Sequence, residues 1–482
     1  MSGSLWSSES SRAMHERRRN TENIINRNNP HSRHPAPGAR RYRYRRDRLS
    51  NVSDQQTRTK RQPYQVSRTD PSSFDLTPIA DHENLAVIWR ELQAKGGHAP
   101  GVDGMTPDLS PPEKFEHSRN LSRALTNRCY VPAATRPVRI RKPTGGFRTL
   151  EIPTFLDRVI GAALTTALRP VLKDHLPRHY GAGANCHSIL GRMTVQAEDH
   201  GWYCIAIDDI RNCFPSIPLQ LAMDCFMRQA AVWCVPELTL VQQGIPWLAR
   251  QLIYGNERET RTVGLSQGST FSPVVASTVL TEVLDIPTDR SIGNRMVLHR
   301  YADNLHVQGP DRSGVRSVME DIQSILNQHG MQLKGTGVQP IDVRRPTEQT
   351  ILGVTPRWTK GKLSFDIPGE AWTRLRDKLC EATDGSGPGK TQPILKGFIA
   401  AYRPTIREND GTVNRIHRML REEGNYSISR EEIIRWVMAA RMKWEAELNN
   451  IRNPQQSPPP EQIDLPELDT GPWDGISPPF RI

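Results

Sequence analysis

From about residue 76 onward, apolar positions recur either every three or four residues or every second residue, and the period predicts the element. Leu85, Ile88 and Leu92 in NLAVIWRELQAKGG predict a first short helix stopped by Gly96 and Gly97. A turn-rich loop, GVDGMTPDLSPP, follows. The strongest helical signal runs from Phe155 to Leu176, where Leu156, Val159, Ile160, Ala163, Leu164, Ala167 and Leu168 line one face. Pro170 predicts a bend or a break in it. Just ahead, VRIRKPTGGFRTLEIP predicts a β-hairpin: Val138 and Ile140 alternate with Arg139 and Arg141. Thr144, Gly145 and Gly146 form its turn, and Phe147, Leu150 and Ile152 lie on the return strand.

Two further strand patterns end in acids. WYCIAIDDI runs into Asp208 and Asp209, and RMVLHRYADNLHVQG reads as strand, tight turn, strand, with Ala302, Asp303 and Asn304 in the turn. Val315, Val318, Ile322, Ile325 and Leu326 predict a helix to His329, closed by Gly330. Beyond Gly369 helical periods take over in AWTRLRDKLCEA, LKGFIAAY, VNRIHRMLREEG and EEIIRWVMAARMKWEAEL, the last opened by a Ser429/Glu432 capping box. The reading is α+β, with an N-terminal arm (1–75), a mixed body (76–369), a helical region (370–452) and a Pro-rich tail (453–482).

Charge changes the picture because of where it sits. The 482 residues carry a formal net charge of +12. Residues 1–70 hold 16 Lys+Arg against 6 Asp+Glu, and the remaining 412 hold 48 against 46. The body is close to neutral, and the excess lies in a segment rich in Arg, Asn, Ser and His without helical or strand period, which reads as disorder. Its densest part interleaves Arg40, Arg41, Arg43, Arg45 and Arg46 with Tyr42 and Tyr44. Guanidinium groups neutralise phosphates and tyrosine rings stack on bases, so this arm suits RNA; a solvated tail or a targeting signal is the plainer alternative. No long uncharged apolar run or secretory leader is present, so no membrane partner and a cytoplasmic location are expected. Seven scattered cysteines without a C-x-x-C pair indicate neither a disulfide framework nor a thiolate zinc site, and read as small core residues.

Two acidic turns, each after a buried-looking strand and about ninety residues apart, are what a two-metal site needs: carboxylates that hold two Mg²⁺ ions during in-line displacement at phosphorus. Alone the signal is weak, since acids at strand ends are commonly solvated.

The order of motifs carries more. GVDGMT at 101–106, IRKPTGGFRTLEIPTFLDRVI at 140–160, IAIDDIRNCFPSI at 205–217, GLSQGSTFSPVVASTVL at 264–280, RYADNLHV at 300–307 and TILGV at 350–354 resemble, in order and spacing, the sequence blocks of reverse transcriptases. The likeness is greatest to group II intron and related bacterial enzymes. It implies a right-hand polymerase with fingers, palm and helical thumb, acting on dNTPs and an RNA template to make DNA, with two Mg²⁺ ions or Mn²⁺ in their place. Carried over residue by residue, Asp209 and Asp303 match the catalytic metal-binding aspartates, and the carbonyl of Ile210 would be a further ligand. Asp208 competes for the first role, but alternation puts Asp209 on the face of Ile205 and Ile207. Lys142 and Arg148 match residues that grip the triphosphate. Asn212 and Cys213 fall beside the nucleotide, Phe214 matches the steric gate against a 2′-hydroxyl, and Gln267 and Gly268 match the pair packed on nucleotide and template.

The sequence also departs from that pattern. The usual second aspartate of the catalytic turn is Asn304, and the lysine expected downstream aligns with Gly337, leaving Lys334 as a substitute. No Cys/His-rich nuclease module follows the helical region. These features suggest a stand-alone bacterial enzyme working with a structured non-coding RNA, in anti-phage defence. The alternative is an intron-derived maturase or RNA-binding protein with weak or lost synthesis.

Overall fold

The computed structural model describes residues 62–65, 76–96, 98–141, 145–175, 185–233, 244–256, 260–335, 339–383, 391–406, 411–424 and 427–453. All of these residues belong to one compact unit.

Its strands form three antiparallel sheets, and helices supply most of the remaining structure, so the α+β class expected from the periods is the one observed. Strands β1 (Arg136–Arg141) and β2 (Phe147–Ile152) make the predicted hairpin, with Val138 opposite Leu150 and Ile140 opposite Arg148. The central sheet has the order β4-β5-β3-β6, from β3 (Cys204–Asp209), β4 (Val297–Tyr301), β5 (Asn304–Gly309) and β6 (Ile341–Asp342). A last hairpin joins β7 (Thr355–Thr359) and β8 (Lys362–Asp366), which the apolar pattern did not single out.

The central sheet needs a cover on each face because the middles of β3 and β5 are buried. One cover is the helix Arg312–Gln328, which buries Val315, Val318, Ile322 and Leu326 and packs on β3 and β5. Each such side chain contributes roughly 1.5–3 kcal/mol. Asp311 caps the helix by accepting the Gly314 amide at 2.8 Å.

Two apolar cores result. The larger gathers the helices before the sheet, Phe155–His175 among them, with Ser272–Leu280 and the Val315 face. The second joins Ile189, Leu190 and Met193 of the helix Cys186–His200 to Ile351, Phe365, Leu375, Phe398 and Trp444. Gly191 lies against the long helix Arg430–Arg452: a Cβ there would lie 2.6 Å from the Ile451 methyl, which would have to move aside. That helix opens with the expected capping box, the Ser429 amide donating to Glu432 at 2.9 Å and the Glu432 amide to Ser429 Oγ at 3.2 Å.

Three expectations need correction. The helix Phe155–His175 is continuous and runs past Pro170 without interruption, its preceding turns held in the core through Leu164, Ala167 and Leu168. The loop after Gly101 ends in an unforeseen helix, Pro111–Thr126, whose polar composition hid it. Its signals were Pro111 and Pro112 in the first turn and a Ser110/Glu113 capping box. Cys129 and Cys380 are exposed, unlike Cys186, Cys204, Cys213 and Cys225. Among the described residues no helix is long and apolar enough to cross a membrane.

Candidate active site

The site begins at the end of β3. Register pairs Asp209 with Asn304 and Ile207 with His306 across to β5, and Tyr301 with Asn304 across to β4. The turn between β4 and β5 is therefore Ala302-Asp303 alone, and Asn304, expected in the turn, is the first residue of a strand. Strand alternation puts Asp209 and Ile207 on one face and Asp208 on the other. The Asp208 carboxylate turns back to accept the Asp209 amide at 2.7 Å.

Ile210 joins the two acidic segments. Its amide donates to the Asp303 carbonyl at 2.9 Å, while the Arg211 amide donates to Gln332 and the Lys334 amide to the Asp209 carbonyl, each at 2.8 Å. The Ile210 carbonyl takes part in neither pairing. Burial pushes the Asp303 carboxyl above its usual range, and the neighbouring Asp209 carboxylate pushes it further. Its own amide and the Lys334 ammonium act in the opposite direction. Lys334 forms an ion pair with Asp209, and Asn304 Nδ2 lies 3.4 Å from Asp303 Oδ1.

No cluster of three or more His, Cys, Asp or Glu side chains in metal-holding arrangement occurs among the described residues. The donor set here is smaller: two carboxylates and a backbone carbonyl. Two adjacent carboxylates, both half-buried and served by a single flexible ammonium, are hard oxygen donors short of positive charge, which fits Mg²⁺ or Mn²⁺.

A ladder of backbone bonds leads outward from the acids. Asn212 adopts φ 46°, a left-handed conformation that turns the chain into the short helix Cys213–Ser216. The buried Cys213 thiol is pushed up to about 12, first by burial and then by the Asp303 carboxylate. The Phe214 carbonyl accepts the Leu265 amide at 2.8 Å, and its ring is half-buried against the larger core. Two residues on, the Gln267 carbonyl accepts the Glu151 amide of β2 at 2.7 Å. Gly268 has φ 144°, and a Cβ there would lie 2.3 Å from the Glu151 carbonyl oxygen, so only glycine permits this approach. Phe214, Gln267 and Gly268 are thereby tied to the hairpin on which Arg148 stands exposed.

The reverse transcriptase (RNA-dependent DNA polymerase) family matches residues 140–354, which begin in β1 and end just before β7. The likeness to the reverse transcriptase family is confined to that segment. That segment spans Arg148, Asp209, Phe214, Gln267, Asp303 and Lys334. The helices from Gly369 onward lie outside it. The right-hand polymerase architecture expected from the sequence is the fold of this family.

Among curated proteins, the chain is 26% identical over 260 residues to YkfC of Escherichia coli K12, covering 52% of this chain and 66% of that one. It is 20% identical over 218 residues to the COX1/OXI3 intron 2 protein of Saccharomyces cerevisiae, covering 43% of this chain and 24% of the relative. The chain thus spans less than two thirds of the length of either. Telomerase of Candida albicans, solved with a telomeric RNA fragment, is similar with a TM-score of 0.38 and 12% identity, over 66% of this chain and 59% of that one.

Of the residues singled out in the sequence, Lys142, Gly337 and the arm residues Arg40, Arg41, Tyr42, Arg43, Tyr44, Arg45 and Arg46 lie outside the described residues. One residue next to the candidate site was missed. Arg300, fully buried, is bound to an equally buried Asp285. Its signal was a charge in the middle of a strand, two residues after Leu298 and on the same face.

Proposed function

We propose that the chain is an RNA-directed DNA polymerase that adds deoxynucleotides to a primer 3′-end on an RNA template. The observation that carries this reading is the Asp209–Asp303 pair at the β3 and β5 ends, inside the segment that matches the reverse transcriptase family. Asp209, Asp303 and the Ile210 carbonyl would hold two Mg²⁺ ions, with Mn²⁺ as a substitute. Those ions supply Lewis acidity at the attacking hydroxyl and neutralise charge on the phosphates.

The chain's own groups do the rest. Arg148, on the hairpin, meets the triphosphate with positive charge, and Lys142 is given the same task. Asn212 and Cys213 bring their backbone to the nucleotide, and Phe214 stands under the sugar so that a 2′-hydroxyl has no room. Gln267 and Gly268 form the floor on which the nucleotide and template base rest. In this reading residues 76–369 are fingers and palm, 370–452 the thumb, and Arg40–Arg46 part of an RNA-binding arm.

The departure at Asn304 supports a specialised enzyme, acting in the cytoplasm with a structured non-coding RNA in anti-phage defence. A second reading, an intron-derived maturase with lost synthesis, draws support from Lys334, which already neutralises Asp209. Primer extension on poly(rA)/oligo(dT) with Mg²⁺ and with Mn²⁺ separates them. Synthesis that disappears in Asp303→Ala is expected; no synthesis with either ion, in protein that retains its co-purifying RNA, would establish the maturase reading.

A further inference from the structure

Arg300 lies one residue before Tyr301 in β4, so alternation turns it away from the face that carries Asp209 and His306. It is sealed from solvent together with Asp285. Arg300 Nε donates to both Asp285 carboxylate oxygens, at 2.8 and 2.9 Å, and Nη2 donates to Asp285 at 2.5 Å and to Thr281 Oγ1 at 3.1 Å. Asp285 and Thr281 are the two ends of a single π turn, Thr281–Asp285, inserted between the helices Ser272–Leu280 and Ile286–Ile292. The wider turn lets both side chains reach one guanidinium.

The remaining arm of the fork points at the site. Arg300 Nη1 donates to the carbonyl of Ala302 at 3.2 Å. Ala302 has φ 54°, in the left-handed region that a residue with a Cβ occupies only under constraint. A two-residue hairpin turn with positive φ at its first position ordinarily takes glycine there. Here the next residue is Asp303, so whatever holds Ala302 also sets where the Asp303 carboxylate points.

We propose that Arg300 is a positioning residue: clamped by Asp285, it holds the Ala302 carbonyl and fixes the left-handed turn that aims Asp303 at Asp209. The inference rests on the polymerase reading of the site and adds to it a residue that never touches substrate. It also accounts for a fully buried ion pair, which apolar residues of similar volume would replace without loss of stability.

The test uses Arg300→Lys in the full chain. A lysine ammonium keeps the charge opposite Asp285 but is a single point that cannot also hold the Ala302 carbonyl. Displacing a reacting group by about 1 Å costs on the order of 100-fold in rate. The expected result is a kcat lower by roughly 30- to 100-fold with the KM for dNTP nearly unchanged, and weaker Mn²⁺ binding by electron paramagnetic resonance. Adding Ala302→Gly to Arg300→Lys is expected to restore both, because glycine adopts this φ unaided; a purely structural role for Arg300 would not respond to that change.

The pair Arg300→Met with Asp285→Leu removes both buried charges at once, and a melting temperature near that of wild type with the same loss of kcat is expected. A kcat close to wild type in Arg300→Lys, or a loss that Ala302→Gly leaves untouched, would overturn the proposal. Wild-type protein inactive with both Mg²⁺ and Mn²⁺ would instead overturn the polymerase reading, and Mn²⁺ binding would still decide the clamp.

Discussion

Lys334 is bound to Asp209 twice: its amide donates to the Asp209 carbonyl at 2.8 Å, and its ammonium pairs with the Asp209 carboxylate. The side chains are 45% and 28% exposed, which makes the ion pair a weak one, worth less than about 1 kcal/mol. A divalent ion therefore displaces the ammonium easily. In Lys334→Met the half-saturating Mg²⁺ for synthesis is expected to fall by up to about fivefold. A loss of kcat at unchanged Mg²⁺ dependence would show that Lys334 serves the substrate phosphates and not the metal site.

Asp303 has a carboxyl raised by burial and by Asp209. A carboxyl with a raised folded pKa favours the folded state when protonated, so its negative charge opposes folding at neutral pH when no metal is bound. Asp303→Asn is expected to melt at or above wild type without Mg²⁺, to lose most of the stabilisation Mg²⁺ confers, and to reduce synthesis by more than about 100-fold. Asn304→Asp should do the reverse, lowering the metal-free melting temperature while keeping synthesis at saturating Mg²⁺. Calorimetry with and without Mg²⁺ checks both, and a dead Asn304→Asp enzyme would mean that the amide itself is required.

Phe214 is held by its own carbonyl on Leu265 while its ring stays half-buried, so shortening it opens space without loosening the backbone. Phe214→Ala is expected to raise ribonucleotide incorporation relative to deoxynucleotide by at least about tenfold. Equal sugar selectivity in the two proteins would remove Phe214 from the nucleotide site.

His187 and His306 are buried, and burial pulls each down to about 4 from 6.5, against the opposing pull of Asp209 on His306. The unfolded chain binds these protons more readily, so stability is complete above pH 6.5 and is lost as pH falls toward 4, by roughly 3 kcal/mol per histidine at most. His187 Nε2 lies 2.8 Å from the Ala401 carbonyl, an interaction a glutamine amide can copy. Melting temperature against pH should be flatter over this window in His187→Gln than in wild type; superimposable profiles would show that His187 titrates normally.

The arm makes a separate prediction. Residues 1–70 hold 16 of the 64 basic side chains and few acids. Deleting them should weaken RNA binding and lower the slope of log affinity against log salt by ~0.7 for each phosphate the arm neutralises. An unaltered slope would give the arm another task.

The sequence by itself determined what depends on near neighbours. The β1–β2 hairpin, the helix 155–175, the capped start of the last helix and the two strands that end in acids follow from periods of two or 3.6 and from turn residues, because backbone geometry repeats over a few positions. Alternation was enough to set Asp209 and Asp208 on opposite faces of β3, and the order of motifs was enough to find the likeness to reverse transcriptases that the family match over 140–354 repeats. Only the tertiary structure decided which distant groups meet. Lys334 reaches Asp209 from 125 residues along the chain, and Gly191 lies against the last helix in the second core. Asp285, which in the sequence resembles any polar residue on a helix, becomes the buried partner of Arg300. Such pairings depend on how helices and sheet pack over long separations, and burial then turns an ordinary surface charge into one that must find a partner.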